Sequence, residues 1–160
     1  MKSTSFKVCF LIVVIGAIIL RWVDSPPPGI IAFELSRTIE NANDMVAQWE
    51  ELDAIPLKKF SLLFDYVFIF GYAGTLFIIL QEWWEKTGKQ WIYFMSLVPV
   101  LAGILDGIEN LGLLQIVYGS GNQFVTSLAF YCASTKFIML LPSIMFSLYY
   151  LYAKWRASIH

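Results

Sequence analysis

Four long apolar runs, at about positions 8–23, 60–80, 91–118 and 123–152, constrain this chain more than any other feature. A helix needs about 20 apolar residues to cross the ~30 Å hydrocarbon layer of a bilayer. Three runs reach that length, and the first falls a little short, with Phe6 and Trp22 marking its interfacial ends. In hydrocarbon every backbone polar group must bond within the chain, so such runs predict helices. Of the 160 residues 58% are hydrophobic and 14% charged, well below the ~25% charged of soluble domains. The expected fold is all-α: a single domain forming an integral membrane bundle of four transmembrane helices.

The segments between the runs add detail. Lys2 and Lys7 precede the first run, a pattern shared with signal peptides. The run has no small-x-small cleavage site and ends Arg21-Trp22-Val23-Asp24-Ser25, so it reads as a spanning helix. Pro26-Pro27-Pro28-Gly29 ends it in a stiff turn. Over 30–52, Ile31, Leu35, Ile39, Ala42, Val46 and Trp49 recur at helical spacing, with Arg37, Glu40, Asn41, Asp44 and Gln48 opposite them. That predicts one amphipathic helix, too polar to span, lying on the membrane surface or capping the bundle. Residues 54–59 read as a linker containing Pro56. Gly71 and Gly74 allow a neighbouring helix to approach closely. Trp83, Trp84 and Trp91 flank the polar loop at 81–90 as an interfacial belt, and Pro142 predicts a kink in the last helix.

Basic residues set the expected orientation. Lys2, Lys7, Lys86, Lys89, Lys154 and Arg156 fall on one side of a four-span chain, which predicts both termini in the cytoplasm. The amphipathic segment then lies outside the cell. Lys58 and Lys59 run against this pattern.

The third run carries an anomaly. Its stretch 102–114, A-G-I-L-D-G-I-E-N-L-G-L-L, holds Asp106, Glu109 and Asn110. Their i, i+3, i+4 spacing puts two carboxyls and an amide on one helix face. An ionised carboxylate within a bilayer costs several kcal/mol without partners, and such groups mark functional sites by default. At ~1.5 Å per residue, Asp65, Asp106, Glu109, Asn110 and Lys136 fall in the middle and outer half of the bundle, with Arg21 at its outer edge. Tyr72, seven residues after Asp65, faces roughly the same side. Glu34 reads either as an acid placed at a helix N-terminus or as a group pointing inward. Counting Asp65, Asp106 and Glu109 against Lys136 and Arg21 leaves one negative charge in excess. Either one carboxyl keeps its proton or a cation completes the site.

Several function classes are excluded. No basic patch with interleaved aromatics suggests nucleic acid, and no Gly-rich loop cradles phosphate. The only histidine is His160, and Cys9 and Cys132 lack redox or metal-binding spacing, so no metal site built on His or Cys is expected. Asp-rich diphosphate motifs are missing, and Asp106-Gly107 continues as Ile108-Glu109-Asn110, unlike phospholipid-headgroup transferases.

Three readings remain. The leading one is a binding or ion-linked membrane protein whose buried acidic pocket takes a proton, a cation or a small lipophilic ligand. Ion transport by it would require a homo-oligomer or a further path. The second is an acid–base enzyme acting on a lipid or isoprenoid, with Asp106 and Glu109 as the catalytic pair and Asp65 or Lys136 orienting them. The third is a structural or accessory protein held together by a buried ion-pair network. Membrane lipids are the expected partners, and no cofactor is indicated.

The segments G-I-I-A-F-E-L at 29–35, D-Y-V-F-I-F-G-Y-A at 65–73, A-G-I-L-D-G-I-E-N-L at 102–111 and T-K-F at 135–137 resemble a family of small bacterial four-helix membrane proteins. The resemblance spans nearly the whole chain. It implies a bacterial inner-membrane location and singles out Glu34, Asp65, Tyr72, Asp106, Glu109, Asn110 and Lys136. It thereby favours the inward position for Glu34, and it implies no particular chemistry.

Overall fold

The computed structural model describes residues 3–158; Lys2 and His160 lie outside them. Six helices follow one another: α1 (Ser3–Val23), α2 (Ile30–Glu34), α3 (Ile39–Glu51), α4 (Ile55–Thr87), α5 (Gln90–Val117) and α6 (Gln123–Ala157). No strand occurs among the described residues. Helices α1, α4, α5 and α6 are long and apolar enough to cross a membrane. The chain is thus a helical bundle of the multi-pass membrane type. Helices α1, α4 and α6 run beyond the apolar runs that announce them, and α5 matches its run to within one residue at each end. Residues 54–59 are not a free linker but the entry to α4, with Pro56 in its first turn, where a missing N–H costs nothing. Gly88, at φ 66°, closes the other end of α4 by donating its N–H to the Trp84 carbonyl. Pro142 sits within a continuous α6, and Pro99 within α5.

The amphipathic segment 30–52 is two helices rather than one. The Ser36 hydroxyl donates to the Phe33 carbonyl at 2.7 Å, and Thr38 takes extended geometry and accepts from the Asn41 N–H. These local bonds compete with continued helix, so the chain turns at residues 35–38. The turn also breaks the register. In α3 the expected face holds, with Ala42 and Trp49 buried. In α2 the buried residues are Phe33 and Glu34, while Ile31 and Leu35 are exposed.

Helix α4 is the hub. It packs along α1 on one side and α5 on the other, and α5 in turn packs along α6. The α1–α4 contact is close because Gly71 has no side chain: a Cβ there would come within 2.7 Å of Ile12 Cγ2 and 3.1 Å of the Val13 nitrogen. Contact between α1 and α6 is not extensive. Phe33 and Trp49, with ring centroids 4.8 Å apart, join Leu62, Leu113 and Ile116 in an apolar cluster that seats α2 and α3 on the end of the bundle.

The connection from α1 to α2 is held by a lysine. Lys58 is fully buried; it donates to the Asp24 carbonyl at 2.6 Å and lies 3.6 Å from the Asp24 carboxylate. Asp24 Oδ1 accepts the Ile30 N–H at 2.7 Å, and Trp49 Nε1 donates to the Pro28 carbonyl at 2.8 Å. At the opposite end of the bundle, Glu82 joins Lys154, Lys86 and Tyr150, at 2.6, 3.2 and 2.9 Å. Trp83 packs there against Trp91, Phe146 and Tyr150.

Candidate functional site

The face formed by Asp106, Glu109 and Asn110 turns inward, and each residue meets a different element. Lys136 of α6 reaches across with its ammonium 2.6 Å from Asp106 Oδ1 and 2.8 Å from Glu109 Oε2. It also lies 3.4 Å from Glu34 Oε2, so α2, α5 and α6 are joined at one nitrogen. From α4, the Tyr72 hydroxyl donates to Asp106 Oδ2 at 2.8 Å, which engages both Asp106 oxygens. Asn110 Nδ2 donates to Asp65 Oδ2 at 2.7 Å. Glu34, Asp106, Glu109, Asn110 and Lys136 are all buried, while Asp65 and Tyr72 are half-buried.

Seven of the eight residues singled out in the sequence are therefore in one cluster. Arg21 is the exception: it is exposed at the rim and makes none of the cluster's ion pairs. Glu34 takes part because it is the last residue of α2 rather than an acid in its first turn. The balance thus differs from the one expected. Four carboxyls, from Glu34, Asp65, Asp106 and Glu109, surround one ammonium.

Buried polar atoms normally find partners, and several here do not. Asn110 Oδ1 accepts no hydrogen bond. Glu34 Oε2 and Glu109 Oε2 lie 3.4 and 2.8 Å from the Lys136 nitrogen as ion pairs, outside good hydrogen-bond geometry. Burial raises the Glu34 carboxyl from the usual value of 4.5 to about 7, against the pull of the Lys136 ammonium. The neighbouring Asp106 and Asp65 add to the rise.

In front of the cluster is a cavity of about 560 Å³, within the ~300–1,000 Å³ usual for small-molecule sites. Glu34, Asp65, Tyr72, Asp106, Asn110 and Lys136 form its polar end, with Arg21 and Asp24 at the rim. From there it runs along the helices past Phe68, Leu76, Leu140 and Ile144 to Phe10 and Val13. The lining residues span 61 to 76 on α4 and 10 to 21 on α1, about 22 and 16 Å of helix axis. It is open on one side: Phe10, Phe137 and Ile144 line it yet remain 50%, 40% and 42% exposed. The cavity is a cleft between α1 and α6, with α4 as its floor and α2 across its polar end.

Not every residue of the cluster reaches this space. Glu109 lies behind Asp106 and is not on the cavity wall. The carboxyls on the wall are Glu34, Asp65 and Asp106, with Asp24 at the rim. Lys58, Asp24 and Trp49, which hold α2 in place, were not singled out in the sequence. A Trp closing the apolar stripe of an amphipathic pattern and a lysine two residues after Pro56 were their only signals.

The fold and cluster define a membrane-type helical bundle with a buried acid–ammonium centre facing an apolar cleft. No protein-family model, curated protein or solved structure matches the chain.

Proposed function

We propose that this protein binds a single-chain lipophilic molecule, with the head at the Asp65–Asn110–Glu34 end of the cleft and the tail along α1 and α6. The cavity carries this reading: it is elongated, walled mostly by apolar side chains, and its charged groups are gathered at one end. A purely structural ion-pair network would fill its own space, whereas here an open volume is walled by two residues with under-bonded acceptors, Glu34 and Asn110. A dedicated cation site is less well supported. The carboxylates converge on the Lys136 ammonium, and the described residues contain no group of three or more metal-ligating side chains arranged around a common point. An acid–base enzyme acting on a bound lipid draws support from one observation, the Glu34 carboxyl raised to about 7 beside half-buried Asp65 on the same wall.

The protein resides in a bacterial inner membrane with both termini in the cytoplasm and α3 on the outer face. Lys86, Lys89, Lys154 and Arg156 at one end of the bundle support this orientation. The dissent of Lys58 is removed, because that lysine is buried against Asp24.

The test is native mass spectrometry of the purified chain, with lipid extraction. One lipophilic species per chain is expected on the wild type. It should be lost when Leu76→Trp and Leu140→Trp fill the apolar part of the cleft with the fold intact. An empty wild type, or a species retained by the filled variant, refutes the reading.

A further inference from the structure

The balance of donors and acceptors at the polar end goes further, resting on the lipid-cleft reading. We infer that the bound head group is a protonated primary amine, seated between the Asp65 and Glu34 carboxylates and Asn110 Oδ1.

The donors there are committed. Lys136 directs its hydrogens to Asp106 and Glu109 and lies within ion-pair distance of Glu34. The Tyr72 hydroxyl donates to Asp106, and the Tyr66 hydroxyl donates to the Gly107 carbonyl at 3.0 Å. Of the wall hydroxyls, those of Ser61 and Thr75 remain free to turn either way, and neither carries charge. An anionic head, whether carboxylate or phosphate, would meet three wall carboxylates, and the uncommitted charged donor that lines the cavity, Arg21, stands out at the exposed rim.

The acceptors are in excess. Asn110 Oδ1 is wholly buried without a donor, and Glu34 Oε2 is buried with the Lys136 ammonium, shared with Asp106 and Glu109, at 3.4 Å. Asp65 is half-buried, with Oδ2 engaged by Asn110. A primary ammonium brings three donors and one positive charge, matching three acceptor groups and a cluster with four carboxyls to one ammonium. A hydroxyl brings one donor and no charge. It would leave two acceptors unpaired in a site where such groups are costly.

The experiment uses the full chain in phosphatidylcholine nanodiscs, titrated separately with dodecylamine, dodecan-1-ol and dodecanoic acid. Thermal unfolding reads stabilisation, and native mass spectrometry reads one-to-one adducts. Dodecylamine should saturate at a concentration at least tenfold lower than dodecan-1-ol, and dodecanoic acid should give no saturable shift. Asp65→Asn and Glu34→Gln should each weaken dodecylamine at least tenfold and so remove its preference over dodecan-1-ol, with helical circular dichroism showing that the variants are folded. Dodecan-1-ol binding as tightly as dodecylamine, or an amine preference that survives both substitutions, overturns the inference while the lipid-cleft reading stands. If none of the three probes binds saturably, both fall together.

Discussion

Lys136→Met gives the sharpest test of the buried cluster. The substitution keeps the length of the side chain and removes the one ammonium that serves Asp106, Glu109 and Glu34 at 2.6, 2.8 and 3.4 Å. Breaking a buried ion pair from one side costs about 3–5 kcal/mol, because the partner charge is left uncompensated. The bundle has one escape, which is to take up a proton in place of the lost ammonium. Protonating an ordinary glutamate side chain costs about 3–4 kcal/mol at pH 7 and about 1 kcal/mol at pH 5. The loss in the variant should therefore be about 3–4 kcal/mol at pH 7 and shrink to about 1 kcal/mol at pH 5. The assay is equilibrium unfolding of wild type and variant in mixed micelles at both pH values, compared as differences. Removing one of the stranded acids as well, in Lys136→Met with Glu34→Gln, should recover part of the loss at pH 7. A deficit that is the same at both pH values, or one below ~1 kcal/mol at pH 7, would show that the ammonium is not what neutralises these acids.

Two other perturbations follow from the same geometry. Glu34 has its carboxyl raised from 4.5 to about 7, so the folded state holds this proton more tightly than the unfolded chain does. Its contribution is fully present below pH 4.5 and is lost as pH rises through about 7. Glu34→Gln should flatten the fall in stability across that window, worth at most about 3 kcal/mol, in unfolding measured against pH. Lys58→Met removes the donor to the Asp24 carbonyl and strands the Asp24 carboxylate. It should cost about 1–3 kcal/mol and speed hydrogen exchange over residues 24–34 more than in α5; uniform exchange across the chain would argue that Lys58 does not hold α2.

Much of this arrangement was legible in the sequence, for identifiable reasons. Apolar runs of spanning length force helices, since a bilayer permits no other economical backbone. The spacing of Asp106, Glu109 and Asn110 fixes a shared face, and their partners Lys136, Asp65 and Tyr72 follow from depth, because parallel helices rise at the same rate per residue. Rotation about each axis does not follow from depth. That is why Arg21, at a suitable level, stands at the rim while Glu34 enters the cluster. The division of 30–52 into α2 and α3 depends on hydrogen bonds of Ser36 and Thr38 that hydrophobic periodicity does not register. Lys58 looked like a linker charge, and its burial depends on the distant Asp24 carbonyl and on the Trp49 ring 5.4 Å from its nitrogen.

The open side of the cleft has a consequence for how occupancy is measured. Its polar end lies toward α2 and its apolar end extends toward Phe10 and Ile144, the same head-to-tail order as a lipid in the adjoining leaflet. Under the proposed lipid-cleft function, a molecule entering between α1 and α6 would slide in within the membrane, already aligned, without crossing water or turning over. Its effective concentration is its mole fraction in that leaflet. Saturation should then track mole per cent of bilayer lipid and stay constant as the aqueous volume is changed.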